Sequence, residues 1–332
     1  MRILLYSGGM NLVKKSGVGR AFEHQKKALH DNGIPYTTNT RSQYDIIQLN
    51  TILPDSVLAA IIAKSKHKKV IYYGHSTMED FKRSFLGSNL FAPIYKKWII
   101  FCYGLGDIII TPSDYSKKLI ESYGVRKPVV QLSNGIDLAF FSKEQGDGKE
   151  FRKKYQFKSD DKVIVSVGHY IERKGILDFV ELARSMPEYK FIWFGYTNLS
   201  LVPKKVKEAV CTKLPNLFFP GYVTKEEIRD AYAGSDGFLF LTFEETEGIV
   251  LLEALAMKIP VIIRDIPIYK DWLQANEMVY KCHTIEDFKN QINKLLCKEL
   301  PEVSEKGYEM IRTKELGSVG LRLNQIYRRL LT

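Results

Sequence analysis

Short apolar runs alternate with helical patterns from one end of the chain to the other, in two successive series. The first series is Arg2–Ser7, Asp45–Asn50, Lys69–Tyr73, Asp107–Thr111 and Val129–Ser133. The second is Lys162–Val167, Lys190–Phe194, Leu217–Phe219, Gly237–Leu241 and Pro260–Ile263. Runs of this length separated by helices read as strands of a parallel sheet, because a parallel pair needs a long crossover. Helices are expected at Ala21–Leu29, where the pair Ala21/Phe22 recurs as Ala28/Leu29 and Gly33 offers a stop, and at Gly175–Ser185, Lys225–Ala233 and Gly248–Met257. The fold class is therefore α/β. The 332 residues suit two domains of the same architecture. The polar, glycine-bearing stretch Phe141–Glu150 reads as a linker or exposed loop. We expect an N-terminal domain over 1–142, a C-terminal domain over 143–315, and a basic helix over 316–332 that packs back toward the first domain.

Apolar residues make up 45% of the chain, enough for packed cores. The four cysteines, Cys102, Cys211, Cys282 and Cys297, have no Cys-x-x-Cys spacing and read as free thiols. No secretory signal is visible, and the longest apolar run, Trp98–Leu105, is far too short to span a bilayer. The net charge is +11 and uneven. Residues 1–150 carry 21 Lys and Arg against 13 Asp and Glu. Such a surface suits an anionic partner, either lipid headgroups or nucleic acid.

Three segments of the second half carry chemistry. In Val163–Gly175 a buried strand ends at Gly168, and Arg173 and Lys174 precede a helix. Full charges beside a strand-to-helix turn suit a diphosphate, although an Arg-Lys pair also occurs on solvated faces. In Phe243–Ala256 four acids, Glu244, Glu245, Glu247 and Glu253, surround a helix start. Three of them fit capping, whereas Glu253 lies inside the apolar helix and needs hydroxyls or a distant cation. The strand Pro260–Ile263 then returns the chain to the crevice at the strand ends.

These segments resemble the retaining glycosyltransferases with the GT-B fold, two Rossmann-like domains facing across a cleft, whose signature is Glu-x7-Glu. Here the pair is Glu245 and Glu253. The resemblance implies that Glu253 holds the ribose of a nucleotide-sugar, that Glu245 contacts the transferred sugar, and that Arg173 and Lys174 bind the diphosphate. Asn134-Gly135-Ile136-Asp137 is similar to the family's domain-junction motif. Thr246 and Glu247 depart from the usual Gly-Phe.

In the first half, Gly17-Val18-Gly19-Arg20 opens a helix after the first strand, and glycines there let a phosphate approach the backbone. It is not a P-loop, since no Gly-Lys-Ser/Thr follows. The resemblance places Gly17 and Gly19, with Arg20 a further candidate, in a loop that closes over the donor. His75 follows a strand in Tyr73-Gly74-His75-Ser76. A lone histidine is often structural, but the resemblance implies a sugar contact. Ser113 also lies past a strand end. Asp55–Lys69 and Phe81–Tyr103 mix aliphatic and aromatic residues with cations, as an interfacial segment does, or as a core-facing helix with a basic outer face does.

The runs 74–81 and 244–253 further resemble the bacterial glycolipid synthases. That branch implies UDP-glucose as donor, monoglucosyldiacylglycerol as acceptor with an alpha-1,2 linkage, and a peripheral site on the cytoplasmic face of an anionic membrane. It also implies Mg2+, for which the chain has no Asp-x-Asp motif. Two other readings stand. One is a transferase of the same fold using UDP-galactose or a soluble or cell-wall acceptor. The other is a non-catalytic protein binding nucleic acid, for which no recognition motif is evident.

Overall fold

The computed structural model describes all 332 residues and contains two parallel six-stranded sheets. The first is built from β1 (Ile3–Tyr6), β2 (Tyr36–Thr37), β3 (Ile46–Leu49), β4 (Lys69–Tyr73), β5 (Ile108–Thr111) and β6 (Val129–Gln131), in the order β2-β1-β3-β4-β5-β6. The second is built from β7 (Val163–Val167), β8 (Lys190–Phe194), β9 (Leu217–Gly221), β10 (Gly237–Phe240), β11 (Val261–Arg264) and β12 (Tyr280–Cys282), in the order β12-β11-β10-β7-β8-β9. All ten expected runs are strands. Two of the four edge strands, β2 and β12, carry no apolar run of their own: one has two residues and the other centres on Lys281.

The central strands are apolar throughout because both faces of each sheet are covered. On one face of the first sheet Leu4, Ile47, Leu49, Val70, Tyr72 and Ile109 share a core. The alternate residues Ile3, Leu5, Ile46, Ile71, Tyr73 and Ile110 form the other. Strand order reverses between β1 and β3 in the first sheet and between β7 and β10 in the second. A crevice opens at the carboxyl ends of the strands at such points. The segments after β7 and β10 carry Arg173, Lys174 and the acidic cluster.

The last helix, Leu316–Leu331, returns to the first sheet. Val319, Leu323 and Tyr327, spaced along one helix face, are buried with Ile3, Leu5 and Ile46. The helix crosses Gly17–Asp31 so closely that a Cβ on Gly320 would lie 2.4 Å from the Ala28 carbonyl oxygen. Two parallel backbone hydrogen bonds pair the two crossover segments: Ile136 N donates to Lys314 O (2.9 Å) and Leu316 N to Ile136 O (3.1 Å).

The stretch Phe141–Glu150 is largely exposed, as expected of a linker or loop, and is anchored at two points. Phe141 is 1% exposed and shares a core with Phe151. Asp147 caps the helix Gly148–Lys154 by accepting from Glu150 N at 2.9 Å. One aromatic side chain and one cap thus anchor a polar, solvent-exposed stretch, because both act locally. No helix is long and apolar enough to cross a membrane.

Gly320→Ala is expected to lower the free energy of unfolding by about 1–3 kcal/mol through overpacking against Ala28. Leu321→Ala, at a position 59% exposed, should change it little. Urea denaturation of both variants measures the difference.

Candidate active site

The segment after β7 turns through the short helix Glu172–Lys174 and Gly175, whose φ of +84° favours glycine, into the helix Ile176–Ser185. That turn aims Arg173 at the first half of the chain. Its guanidinium lies 2.9 Å from the Asp80 carboxylate and donates to Ser84 Oγ (3.1 Å) and to Glu244 O (2.6 Å). Its backbone N–H donates to Arg83 O at 3.0 Å, and its carbonyl accepts from Phe243 N at 2.8 Å. Lys174 Nζ pairs with Glu245 Oε1. Two cations and two carboxylates thus meet where the two sheets face each other. Burial lowers the pKa of Lys174, although Glu245 opposes the shift. Burial raises that of Asp80, although Arg173 opposes it.

Glu253 is fully buried in the helix Ile249–Ala256. Its distant cation is Arg20, whose guanidinium nitrogen lies 3.0 Å from Oε1. The approach is out of line, and neither carboxylate oxygen accepts a hydrogen bond. Burial raises the pKa of this carboxyl, with Arg20 acting against the rise. Two unpaired acceptor oxygens in an apolar helix are costly, and a ligand diol would satisfy both.

The segment Gly17–Gly19 is the first turn of the helix Gly17–Asp31. Ser16 caps it by accepting from Val18 N (3.2 Å), and Gly19 is buried against the Lys14 carbonyl. Arg20 reaches Glu253 from the next position. His75 is not among the charged groups. It stacks on Tyr73 and its Nε2 hydrogen-bonds Asn50 Oδ1 at 3.1 Å, inside the first half. Burial holds its pKa down to about 3, so the ring is neutral at any working pH. Ser113 caps the helix Asp114–Ser122 through a capping box with Ser116, which is a structural role.

Several partners were invisible in the sequence. Asp80 and Ser84 face Arg173 across a long gap in the chain, and Asp80 by itself reads as an acid in a helix's first turn. Glu247 is the clearest case. Its carboxylate accepts from Ser133 Oγ (2.5 Å), Asn134 N (2.9 Å) and Asn134 Nδ2 (2.9 Å), with Lys314 Nζ at 3.4 Å. The departure at Glu247 therefore fastens the loop after β10 to both crossover segments.

No group of three or more His, Cys, Asp or Glu side chains is disposed to hold a metal ion. The protein alone thus offers no cage for Mg2+, and an ion held between a bound diphosphate and one or two carboxylates would need none.

Two family models cover most of the chain: the group 1 glycosyl transferases match residues 147–312, and Glycosyltransferase Family 4 matches residues 19–140. The processive diacylglycerol alpha-glucosyltransferase of Acholeplasma laidlawii is 42% identical over 100% of this chain and 99% of its own length. The chain belongs to the group 1 glycosyltransferases. The alpha-galactosylglucosyldiacylglycerol synthase of Streptococcus pneumoniae is 25% identical over 80% of this chain and 72% of its own. Among solved structures, Anabaena HepE in complex with UDP and glucose superposes with a TM-score of 0.78 at 14% identity, covering 98% of each chain. The fold of this glycosyltransferase is GT-B.

One carboxylate of the glycosyltransferase spans the crevice in a titratable state. Glu244 accepts from Tyr115 OH, in the first half, at 3.1 Å, and its other oxygen is buried without a partner. Burial raises its pKa from 4.5 to about 7. The folded state thus keeps a proton that the unfolded state has lost between those values, so this group makes stability fall as pH rises through that window. Glu244→Gln is expected to flatten the fall, as read from denaturation midpoints at pH 5 and pH 8.

Proposed function

We propose that the protein is a retaining glucosyltransferase that moves glucose from UDP-glucose to monoglucosyldiacylglycerol, forming alpha-1,2-linked diglucosyldiacylglycerol at the cytoplasmic face of the membrane. The observation that carries this reading is the full-length match to a diacylglycerol alpha-glucosyltransferase, and it is supported by the buried charged groups Glu253, Arg173, Lys174 and Glu245 at the strand ends.

In this mechanism Glu253 takes the ribose diol, and Arg20 gives up its misaligned contact. The diphosphate displaces Asp80 and Glu245 from Arg173 and Lys174. The freed Glu245 then accepts from sugar hydroxyls, and His75 accepts from another. The first turn of Gly17–Asp31 brings Gly17 and Gly19 toward the diphosphate. The bond from C1 to the β-phosphate oxygen breaks, and the two cations stabilise the charge that develops on the leaving UDP. The acceptor oxygen bonds to C1 on the same face, and its proton passes to the departing phosphate oxygen. Retention then needs no protein nucleophile, unlike a glycosidase with paired carboxylates.

The exposed surface supports a lipid acceptor. On the helix Ser88–Gly104, Leu90, Ile94 and Phe101 line the solvent face with Lys97, and Phe85 and Leu86 precede it. A helix with an ordinary basic outer face would not be apolar on both sides. Leu58, Ile61 and Ile62 extend exposed apolar surface on Pro54–Ser65, beside Lys66 and Lys69. Part of the expected interfacial set is instead packed: Phe81 stacks on Tyr95, and Trp98 donates to Ile52 O.

The relative's description as processive favours a second reading, in which diacylglycerol itself is also an acceptor and successive sugars are added. Incubation with labelled UDP-glucose or UDP-galactose, on diacylglycerol or monoglucosyldiacylglycerol in anionic vesicles, separates these readings. The alpha-1,2 diglucosyl product from UDP-glucose is expected. No transfer to either lipid would remove the lipid reading. Arg173→Ala should weaken UDP binding by about tenfold to a hundredfold, the loss of charge-assisted hydrogen bonds. Calorimetric titration with UDP that showed unchanged affinity would refute this donor site. Leu90→Glu with Ile94→Glu should reduce sedimentation with anionic vesicles and leave UDP affinity as it is.

A further inference from the structure

Five buried polar side chains form one hydrogen-bonded chain from the last helix to His75. Tyr327 OH donates to Gln48 Oε1 (2.7 Å), and Gln48 Nε2 donates to Gln25 Oε1 (2.8 Å). Gln25 Nε2 donates to Asn50 Oδ1 (2.8 Å), and Asn50 Nδ2 returns a bond to Gln25 Oε1 (2.9 Å). Asn50 Oδ1 also takes the bond from His75 Nε2 (3.1 Å). Each link fixes the next. An amide oxygen has two lone pairs, and those of Gln25 and Asn50 are both used. Inverting one amide alone would set donor against donor or acceptor against acceptor. Inverting all three would leave the chain consistent but would make Tyr327 an acceptor, and its buried O–H would then have nowhere to point. The one hydroxyl therefore chooses between two polarities of the whole chain. His75 Nδ1, by contrast, makes no hydrogen bond within the protein and is not sealed from solvent.

We propose that Tyr327 is a positioning residue for His75: its hydroxyl sets the polarity of the Gln48–Gln25–Asn50 chain, which holds His75 as the Nε2–H tautomer with Nδ1 free to accept from a hydroxyl of the bound sugar. This rests on the reading of His75 as a sugar contact. The helix that carries Tyr327 follows the second sheet in the chain and docks on the first, so its seating sets the state of a ring at the strand ends.

The test is the tautomer itself, read from proton–nitrogen correlation spectra of the full-length protein labelled at histidine. The His75 signal is the one lost in His75→Ala. In the wild type Nε2 is expected to carry the proton. In Tyr327→Phe, and in Gln48→Met, which cuts the chain at nearly constant volume, a mixture of tautomers is expected. Donor kcat/KM should fall about threefold to tenfold in each, the worth of one hydrogen bond. Combining Tyr327→Phe with His75→Ala should cost no more than His75→Ala alone. A His75 spectrum unchanged in both chain variants overturns the proposal, as do additive losses. If His75→Ala keeps full activity while the tautomer still follows Tyr327, the sugar-contact reading of His75 is overturned and the coupling along the chain is upheld.

Discussion

The acidic segment after β10 dictates how the two sheets stand to one another. It places Glu244, Glu245, Glu247 and Glu253 at the crevice, and each meets a partner from elsewhere in the chain. Glu244 meets Tyr115, Glu245 meets Lys174, Glu247 meets Ser133, Asn134 and Lys314, and Glu253 meets Arg20. Only Lys174 belongs to the same sheet's own loops. The others lie in the first half or in the crossover segments. A buried carboxylate without partners is unfavourable by several kcal/mol. Sliding one sheet against the other would break the contacts of Glu244, Glu247 and Glu253 at once.

That same fact explains what the sequence shows and what it hides. Ten of the twelve strands stand out because each is an apolar run with helices on both sides. Lys69–Tyr73 and Lys190–Phe194 match to the residue. β2 and β12 do not, because two or three backbone pairings leave no pattern in composition. Arg173, Lys174, Glu245 and Glu253 are legible as a spacing, since the loops that carry them are local. Asp80 and Ser84 are not, and Arg20 is legible only as a donor-loop candidate and not as the partner of Glu253, because pairing across a crevice depends on how two sheets face. Glu247 stood out only as a departure from a family pattern. Its role became readable once Ser133 and Asn134 were found to donate to it.

The helix Ser88–Gly104 has apolar residues on two sides for two reasons. Ala92, Ile99, Cys102 and Tyr103 face the first sheet and are fully covered. Leu90, Ile94 and Phe101 face outward and have no cover within the chain. Composition cannot separate these faces, since every apolar residue counts alike. Position on the helix separates them, and the outward set, with Lys97 among it, is the surface on which the proposed lipid acceptor reading relies.

Arg173 and Lys174 are already paired within the protein, and in the mechanism we propose this shapes how a diphosphate binds. The incoming anion does not meet bare cations. It exchanges with Asp80 and Glu245, whose own charges must then be satisfied elsewhere. For Glu245 the transferred sugar supplies hydroxyls at the place it vacates, so sugar and diphosphate support each other's binding. UDP alone would leave that carboxylate short of partners in a buried site. In that mechanism the exchange favours the intact donor over its product and links release of UDP to re-formation of the Arg173–Asp80 and Lys174–Glu245 pairs.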